Sequence, residues 1–368
     1  MTIFVPAEPF APGEYIRDEI EARGWTQDDL ADVMGISRRQ VINLIQGKSG
    51  ITPDTAHALA EAFPGQDART WMNLQISFEL AMAAKNERGV KRRACIFSKA
   101  PIREIKRRGW IPDVDDTDDL EKAVCNLLRI RNIEDEPEVL IAAKKSTPYD
   151  SDTSAQIAWY RRAWELAEHA PSARYDEGQF EEGLKALLQL AAYPEDARRI
   201  PSTLADMGIR LILNEHLKAT KIDGAAFWLD DSTPAIALSL RYDRIDNLWH
   251  TLMHELMHIR HRHAAPVDID MMSHDVPELE RTTNEEAAGV LIAKEKLASF
   301  VNRVKPYFYQ ARVNQFAQVH KVHPGIVVGQ LQYRGEITHQ QLRKLLPKVR
   351  SEIIGSTVTD GWGNKPSF

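Results

Sequence analysis

The stretch Leu248-Trp-His-Thr-Leu-Met-His254-Glu255-Leu-Met-His258-Ile259 decides how this chain is read. Leu248, Leu252, Leu256 and Ile259 recur at the three- and four-residue steps of a helix with one buried face. On such a helix His254 and His258 stand one turn apart on the same side. Two imidazoles stacked in this way point at one spot and can bind one ion together. Glu255 lies about 100° further round the helix. It is badly placed as a ligand of the same ion and well placed as a general base, taking a proton from water that the ion holds. Zinc suits the set, because histidine and carboxylate donors around an open four-coordinate site are its usual ligands. The plain alternative is a histidine-rich helix, since five of the twelve histidines fall between 250 and 263. His250, His261 and His263 read as solvated or supporting groups.

A third ligand is required. His258-Ile-Arg-His261 continues without the glycine and distal histidine of metzincins. That leaves a carboxylate on a following helix, and spacing does not choose among Glu278, Glu280, Glu285 and Glu286. Upstream, Ile209-Arg-Leu-Ile-Leu213 reads as a strand. The apolar runs 225–229 and 235–240 flank Asp230-Asp-Ser-Thr-Pro234, a hairpin with turn chemistry in its bridge. This hairpin is expected to supply the edge strand on which a zinc peptidase holds extended substrate. Residues 157–168 and 180–192 are helical by period. The stretch 85–108 is rich in lysine and arginine and reads equally as extra phosphate contacts or as a solvated helix face. His323, beside Pro324, reads as a turn or packing residue, with a transition-state donor as the sharper alternative.

The amino-terminal part is punctuated differently. Helices are expected over 13–23, 27–34, 38–46 and 54–63, with Thr26, Ser37 and Thr52 as caps and Gly24, Gly35 and Gly47 at the exits. The short link Gly35-Ile36-Ser37 between two helices is the helix-turn-helix arrangement, whose second helix lies in the major groove. Ser37, Arg38, Arg39, Gln40 and Asn43 fall at the start and exposed side of that helix, and Arg, Gln and Asn are the side chains that fork onto base edges. Gln27 and Lys48 suit phosphate contacts. The bland counterpart is a helical bundle with a solvated polar face.

Composition bounds the rest. The chain has 368 residues, room for two or three domains, and 43% apolar or aromatic residues with which to build cores. With 27% charged residues and no apolar run of membrane-spanning length, no transmembrane helix is expected. Two cysteines, Cys95 and Cys125, form neither a disulfide framework nor a cysteine zinc site. The first 25 residues lack a secretory signal pattern, and a cytoplasmic setting is expected. A net charge of −6 restricts nucleic-acid binding to a local patch.

Two resemblances add to this. Thr26-Gln-Asp-Asp-Leu-Ala-Asp-Val-Met-Gly-Ile-Ser37 resembles repressor-type helix-turn-helix proteins. The wider stretch 13–82, with Gly47-Lys-Ser-Gly-Ile-Thr-Pro-Asp-Thr-Ala56 and Trp71-Met-Asn-Leu-Gln75, is similar to the HigA antitoxin family. That likeness implies binding to double-stranded operator DNA, as a homodimer, and a toxin as partner. The segment 238–258 resembles the ImmA/IrrE zinc-peptidase family, and the likeness extends over about 200–345. That family carries E-x-E-A-N downstream, where this chain reads Glu280-Arg-Thr-Thr-Asn284. Read without gaps, the resemblance makes Glu280 the third ligand and Asn284 a residue that orients it, with Glu285 and Glu286 still open. Known relatives of the peptidase part cut helix-turn-helix repressors.

The expectation is therefore an α+β, mostly helical chain. An all-α helix-turn-helix domain occupies 1–84 and a basic, helical middle region 85–200. A zincin-like metallopeptidase domain with a small β-sheet and an H-E-x-x-H helix follows over 201–346, then a loose tail over 347–368. The expected function is DNA-binding regulation joined to zinc-dependent hydrolysis of a protein such as a repressor. The alternative is a HigA-like antitoxin or repressor whose metal domain senses or binds a partner without cutting.

Overall fold

Hydroxyls and glycines set the boundaries of the amino-terminal helices. In the computed structural model, which describes residues 10–84, 88–137, 153–218, 220–263, 267–269 and 278–361, these are α1 (Pro12–Ala22), α2 (Gln27–Met34), α3 (Arg38–Ile45), α4 (Pro53–Ala62) and α5 (Ala68–Ala84). Thr26 accepts from the Asp29 backbone N–H, and the Asp29 carboxylate accepts from Thr26 N–H in return, which satisfies donors a helix start leaves orphaned. The same hydrogen bonds hold the Asp29 carboxyl below its usual range. Gly35 leaves α2 at φ 66°, in the left-handed region where a side chain would be strained. Ile16, Leu30, Val41, Leu59, Phe63 and Trp71 are buried together as the core. Trp25, Phe63 and Trp71 follow one another at 6.0 Å ring separations.

The chain divides into two compact units, Met1–Arg93 and Ala94–Phe368. Among the described residues the second is organised by five short strands: β1 (Arg210–Leu213), β2 (Ile222–Trp228), β3 (Pro234–Leu238), β4 (Val267–Ile269) and β5 (Val358–Thr359), in the order β4-β2-β3-β1-β5. β2 and β3 form the antiparallel hairpin that the Asp230 turn predicts, with Asp230 accepting from Ser232 N–H at 2.8 Å. β1 runs parallel to β3 and to β5, so the sheet is mixed. The hairpin does not supply the edge: β2 is enclosed between β3 and β4, and the outer position beside it belongs to β4. β4 follows the His254 helix in sequence and was not legible as a strand.

Alternation along these strands explains the helices around them. Leu211, Leu213, Ala226, Ile236 and Leu238 face one core, while Ile212, Ala225, Phe227, Ala235 and Ala237 face another. Both faces are apolar, so both must be covered. The first is covered by α10 (Phe180–Leu188), α11 (Ile200–Asp206), α12 (Ile245–Arg260), α13 (Glu278–Leu291) and the helices beyond. The second is covered by α6 (Arg88–Lys99), α7 (Ile102–Arg107), α8 (Thr117–Leu128) and α9 (Thr153–His169). Trp159 of α9 donates to the Asn214 carbonyl at 2.9 Å, and Asn214 returns a bond to the Trp159 carbonyl at 2.8 Å. The region 85–200 is thus no separate domain. From Ala94 onward it is part of the same unit as the sheet, and its helices cover the sheet's second face.

Two further expectations change. Arg108 of the basic stretch is only 4% exposed and donates to the Glu215 and His216 carbonyls at 2.9 Å each and to the Glu104 carboxylate at 2.7 Å, so it is a structural tie. Arg103 and Arg107 are exposed, as are Lys91, Arg92 and Arg93. The chain after 347 is packed, not loose, as far as Gly361: Val349 and Ile353 are buried, and β5 joins the sheet. Residues 1–9, the start of the expected amino-terminal domain, and 362–368, the end of the expected tail, lie outside the described residues.

Gly13 sets how closely α1 meets α3. A Cβ there would stand 2.3 Å from the Ile45 carbonyl oxygen, which is backbone and cannot swing aside. Gly13→Ala is therefore expected to destabilise the amino-terminal unit by about 1–3 kcal/mol, read as a lower first transition in thermal unfolding. An unchanged transition would refute this account of the α1–α3 contact.

Candidate functional site

α12 is buried along nearly its whole length, from Ile245 to Ile259 with few breaks. Its apolar face carries it onto the sheet, and this also buries His254, Glu255 and His258 at 0%, 0% and 1% exposure. α13 packs beside it and brings in Glu280, whose side chain keeps 15% of its surface open. His254 Nε2 and His258 Nε2 lie 2.9 Å apart, and Glu280 Oε2 lies 3.1 Å and 3.3 Å from them. A tetrahedral ion bound at about 2.0–2.1 Å to each of three such donors needs them about 3.3 Å from one another. These three donor atoms lie close enough together to hold a metal ion.

The other carboxylates on α13 are engaged elsewhere. Glu286 pairs with His261 at 2.8 Å and Arg260 at 3.1 Å, and Glu285 with Lys294 at 3.0 Å. Glu278 lies exposed in the first turn. Among the described residues the ligand-type cluster is His254, His258 and Glu280.

Two residues support the cluster: His263, which the sequence allowed as a supporting group, and Gly224, which it did not single out. His263 Nδ1 sits 3.0 Å from His258 Nδ1, which fixes the ring and leaves Nε2 turned toward the cluster. Burial, and then the neighbouring His258, pushes the His263 imidazole down, which favours the neutral ring that can accept this bond. Gly224 of β2 is the other. A Cβ there would fall 2.2 Å from Glu255 Oε1 and 2.9 Å from Thr251 Cγ2. Glycine inside a strand is the signal that could have found it, since it marks a close approach.

Other expectations are redirected. His250 lies one turn before His254, and burial pushes its imidazole down to about 4, so it is neutral. Asn284 is 5% exposed and its side-chain oxygen is buried without a hydrogen-bond partner. His323 caps the helix that begins at Pro324: its Nδ1 accepts from Gly325 N–H at 3.0 Å, the turn role rather than a donor at the metal cluster.

In the amino-terminal unit, Arg38, Arg39, Gln40 and Lys48 are exposed, while Gln27 and Asn43 are half-buried. Arg38 Nε stands 3.4 Å from Asp28 Oδ1 at an exposed site, where such a pair is weak and easily exchanged. Ser37 and Gln40 form a capping box: Ser37 Oγ accepts from Gln40 N–H at 3.3 Å, and Gln40 Oε1 accepts from Ser37 N–H at 2.8 Å. Ser37 is thus occupied as a cap. With its oxygen held, Gln40 presents only amide N–H groups outward.

This geometry defines a helix-turn-helix domain in the first unit and a buried His-His-Glu cluster in the second. Residues 16–66 match the family model described as helix-turn-helix. The chain is 32% identical over 80 residues to virulence-associated protein I of Dichelobacter nodosus, covering 22% of this chain and 73% of that protein. It is 27% identical over 77 residues to virulence-associated protein A' of the same organism, covering 21% and 67%. Among solved structures, an addiction module antidote protein of a HigA family from Coxiella burnetii is 32% identical, covering 22% of this chain and 87% of that one at a TM-score of 0.21. The Pseudomonas aeruginosa antitoxin HigA with higBA promoter gives the same identity, coverage and score. By its amino-terminal part the chain belongs to the helix-turn-helix family. No helix among the described residues is long and apolar enough to cross a membrane.

Gly224→Ala should push the Glu255 carboxylate off its present position while leaving His254, His258 and Glu280 untouched. The expected outcome is a thermal destabilisation of about 1–3 kcal/mol, as for other overpacked sites, with metal stoichiometry unchanged. Gly289→Ala, where an added Cβ meets nothing within 4 Å, is the control and should be neutral or stabilising. Equal melting temperatures for the two variants would contradict the tight fit of Glu255 on β2.

Proposed function

We propose that this protein is a DNA-binding regulator whose carboxy-terminal unit is a zinc-dependent, zincin-like peptidase. The observation that carries the second half is the His254–His258–Glu280 cluster, with Glu255 next in the chain and buried against Gly224. When bound, zinc supplies Lewis-acid polarisation of a carbonyl and acidifies water at its open position to a pKa of about 7. His254, His258 and Glu280 are the residues that hold it. His263 keeps the His258 ring turned so that Nε2 faces the cluster. Glu255 takes the proton from the attacking water and returns it to the leaving amine. Burial of Glu255 excludes bulk solvent from that transfer. The substrate is a protein, and a helix-turn-helix repressor fits the resemblance of 238–258 to repressor-cutting peptidases.

The first half of the proposal rests on the helix-turn-helix match over 16–66 and on the outward cations of α3. Arg38 and Arg39 reach base edges or phosphates, Gln40 and Asn43 contribute further contacts to bases, and Gln27 and Lys48 contact phosphates. Ile76 and Leu80, one turn apart on α5 and 46% and 65% exposed, are where a homodimer on operator DNA would close. A toxin is the partner that the HigA likeness brings to mind, and the non-cleaving antitoxin remains the second reading if the metal cluster proves to lack hydrolytic action.

Two experiments test the two halves. Glu255→Gln is expected to retain one zinc per chain and to cut a co-expressed helix-turn-helix repressor at least about 100-fold more slowly than wild type. The His254→Ala, His258→Ala double variant should hold no zinc. Cutting by Glu255→Gln at the wild-type rate would refute the peptidase assignment. For the head, Arg38→Ala with Arg39→Ala should weaken operator binding by about tenfold or more at fixed salt. Unchanged affinity would remove α3 as the recognition helix.

A further inference from the structure

We propose that the turn between α14 (Lys294–Val304) and α15 (Gln310–Val319), in the second unit, is a docking face for single-stranded nucleic acid. Charge is the first observation. Between Glu295 and Glu352 the sequence holds ten lysines and arginines and one acid, Glu336, and Lys305 pairs with that acid at 2.6 Å. The whole chain carries a net charge of −6, so this stretch is a local reversal of sign.

Packing gathers part of that charge at one place. Phe300 of α14 stacks on Phe316 of α15 at 4.3 Å, and Phe308 of the turn lies 6.3 Å from Phe300. These rings hold both helices and their connection to the core. His320, just past α15, has its imidazole pushed down by burial and then by Lys296 in the first turn of α14. The start of α14 therefore lies by the end of α15, and the two helices run in opposite directions. Arg303 in the last turn of α14 and Arg312 in the first turn of α15 flank the connection from both sides. Both are exposed, and among the described residues neither has an acid within ion-pair distance.

The turn supplies the aromatic component. Phe308 packs inward, whereas Tyr307 and Tyr309 on either side of it are each 67% exposed, with ring centroids 6.2 Å apart. Two outward rings beside unpaired guanidiniums combine the stacking surface and the phosphate contacts that a single strand uses. Bases offer their faces to side chains only when unpaired, which selects a single strand over a duplex. An acidic peptide would satisfy the cations and leave both rings in water. No residue of the metal cluster takes part, so the face is independent of the peptidase reading.

The test uses the full chain carrying Arg38→Ala and Arg39→Ala, which removes the proposed base contacts of α3. Anisotropy titration with a labelled oligothymidylate of about 20 nucleotides, longer than the roughly 4–16 that one single-strand-binding fold covers, should show saturable binding. Adding Tyr307→Ala and Tyr309→Ala should weaken that binding by about tenfold or more and leave affinity for a duplex of the same length unchanged. Adding Arg303→Gln and Arg312→Gln instead should flatten the slope of log K against log salt by about 1.4, the loss of two single-strand phosphate contacts. All four side chains are exposed, so each variant should melt with its parent. Absence of saturation, single-strand affinity unchanged by the tyrosine replacements, or equal losses for single strand and duplex overturns the proposal. Displacement of the oligonucleotide by poly-glutamate as readily as by unlabelled strand overturns it as well, because charge alone would then account for the binding.

Discussion

The close approach of one helix to one strand governs the second unit. α12 can lie on β2 as it does because Gly224 has no side chain where Glu255 must pass. That contact fixes the rotation of α12 about its own axis. The rotation in turn decides that His254 and His258 face α13 while Leu248, Leu252 and Leu256 face the core. Glu280 completes the cluster only because α13 packs along the same helix. A Cβ at Gly224 would displace the Glu255 carboxylate first, because the packed strand and helix leave it no room.

The rest of the unit supports that contact. A sheet with two apolar faces needs helices on both sides, and the chain provides them from well before and well after the strands. On the far side, Tyr160 of α9 meets Phe227 edge-on at 5.2 Å and Trp164 stacks on it at 5.3 Å. They hold β2 from behind while Glu255 presses it from the front. The buried pair of hydrogen bonds between Trp159 and Asn214 ties α9 to the end of β1 in the same way.

Local chemistry was legible in the sequence, and long-range assembly was not. The four-residue step from His254 to His258 needs only a helix to become a pair of donors. Thr26, Ser37 and Thr52 announce helix starts because a hydroxyl can satisfy an orphan N–H three residues on. The Asp230 turn likewise declares itself. The partner of the hairpin, β4, the last strand, β5, and the covering role of α6 to α9 depend on which distant segments meet, and no local pattern encodes that. Glu280 was one carboxylate among four by spacing, and only a family likeness ranked it first. The capping role of Gln40 was missed for a related reason: a side chain suited to reading bases is equally suited to closing a capping box with its local partner Ser37.

X-ray absorption at the zinc edge of the purified protein tests the central claim most directly. The account predicts a first shell of nitrogen and oxygen alone at about 2.0–2.1 Å, four-coordinate, with the outer-shell scattering of two imidazoles. A sulfur scatterer at about 2.3 Å, a single imidazole, or protein isolated from zinc-containing medium with no zinc at all would contradict it.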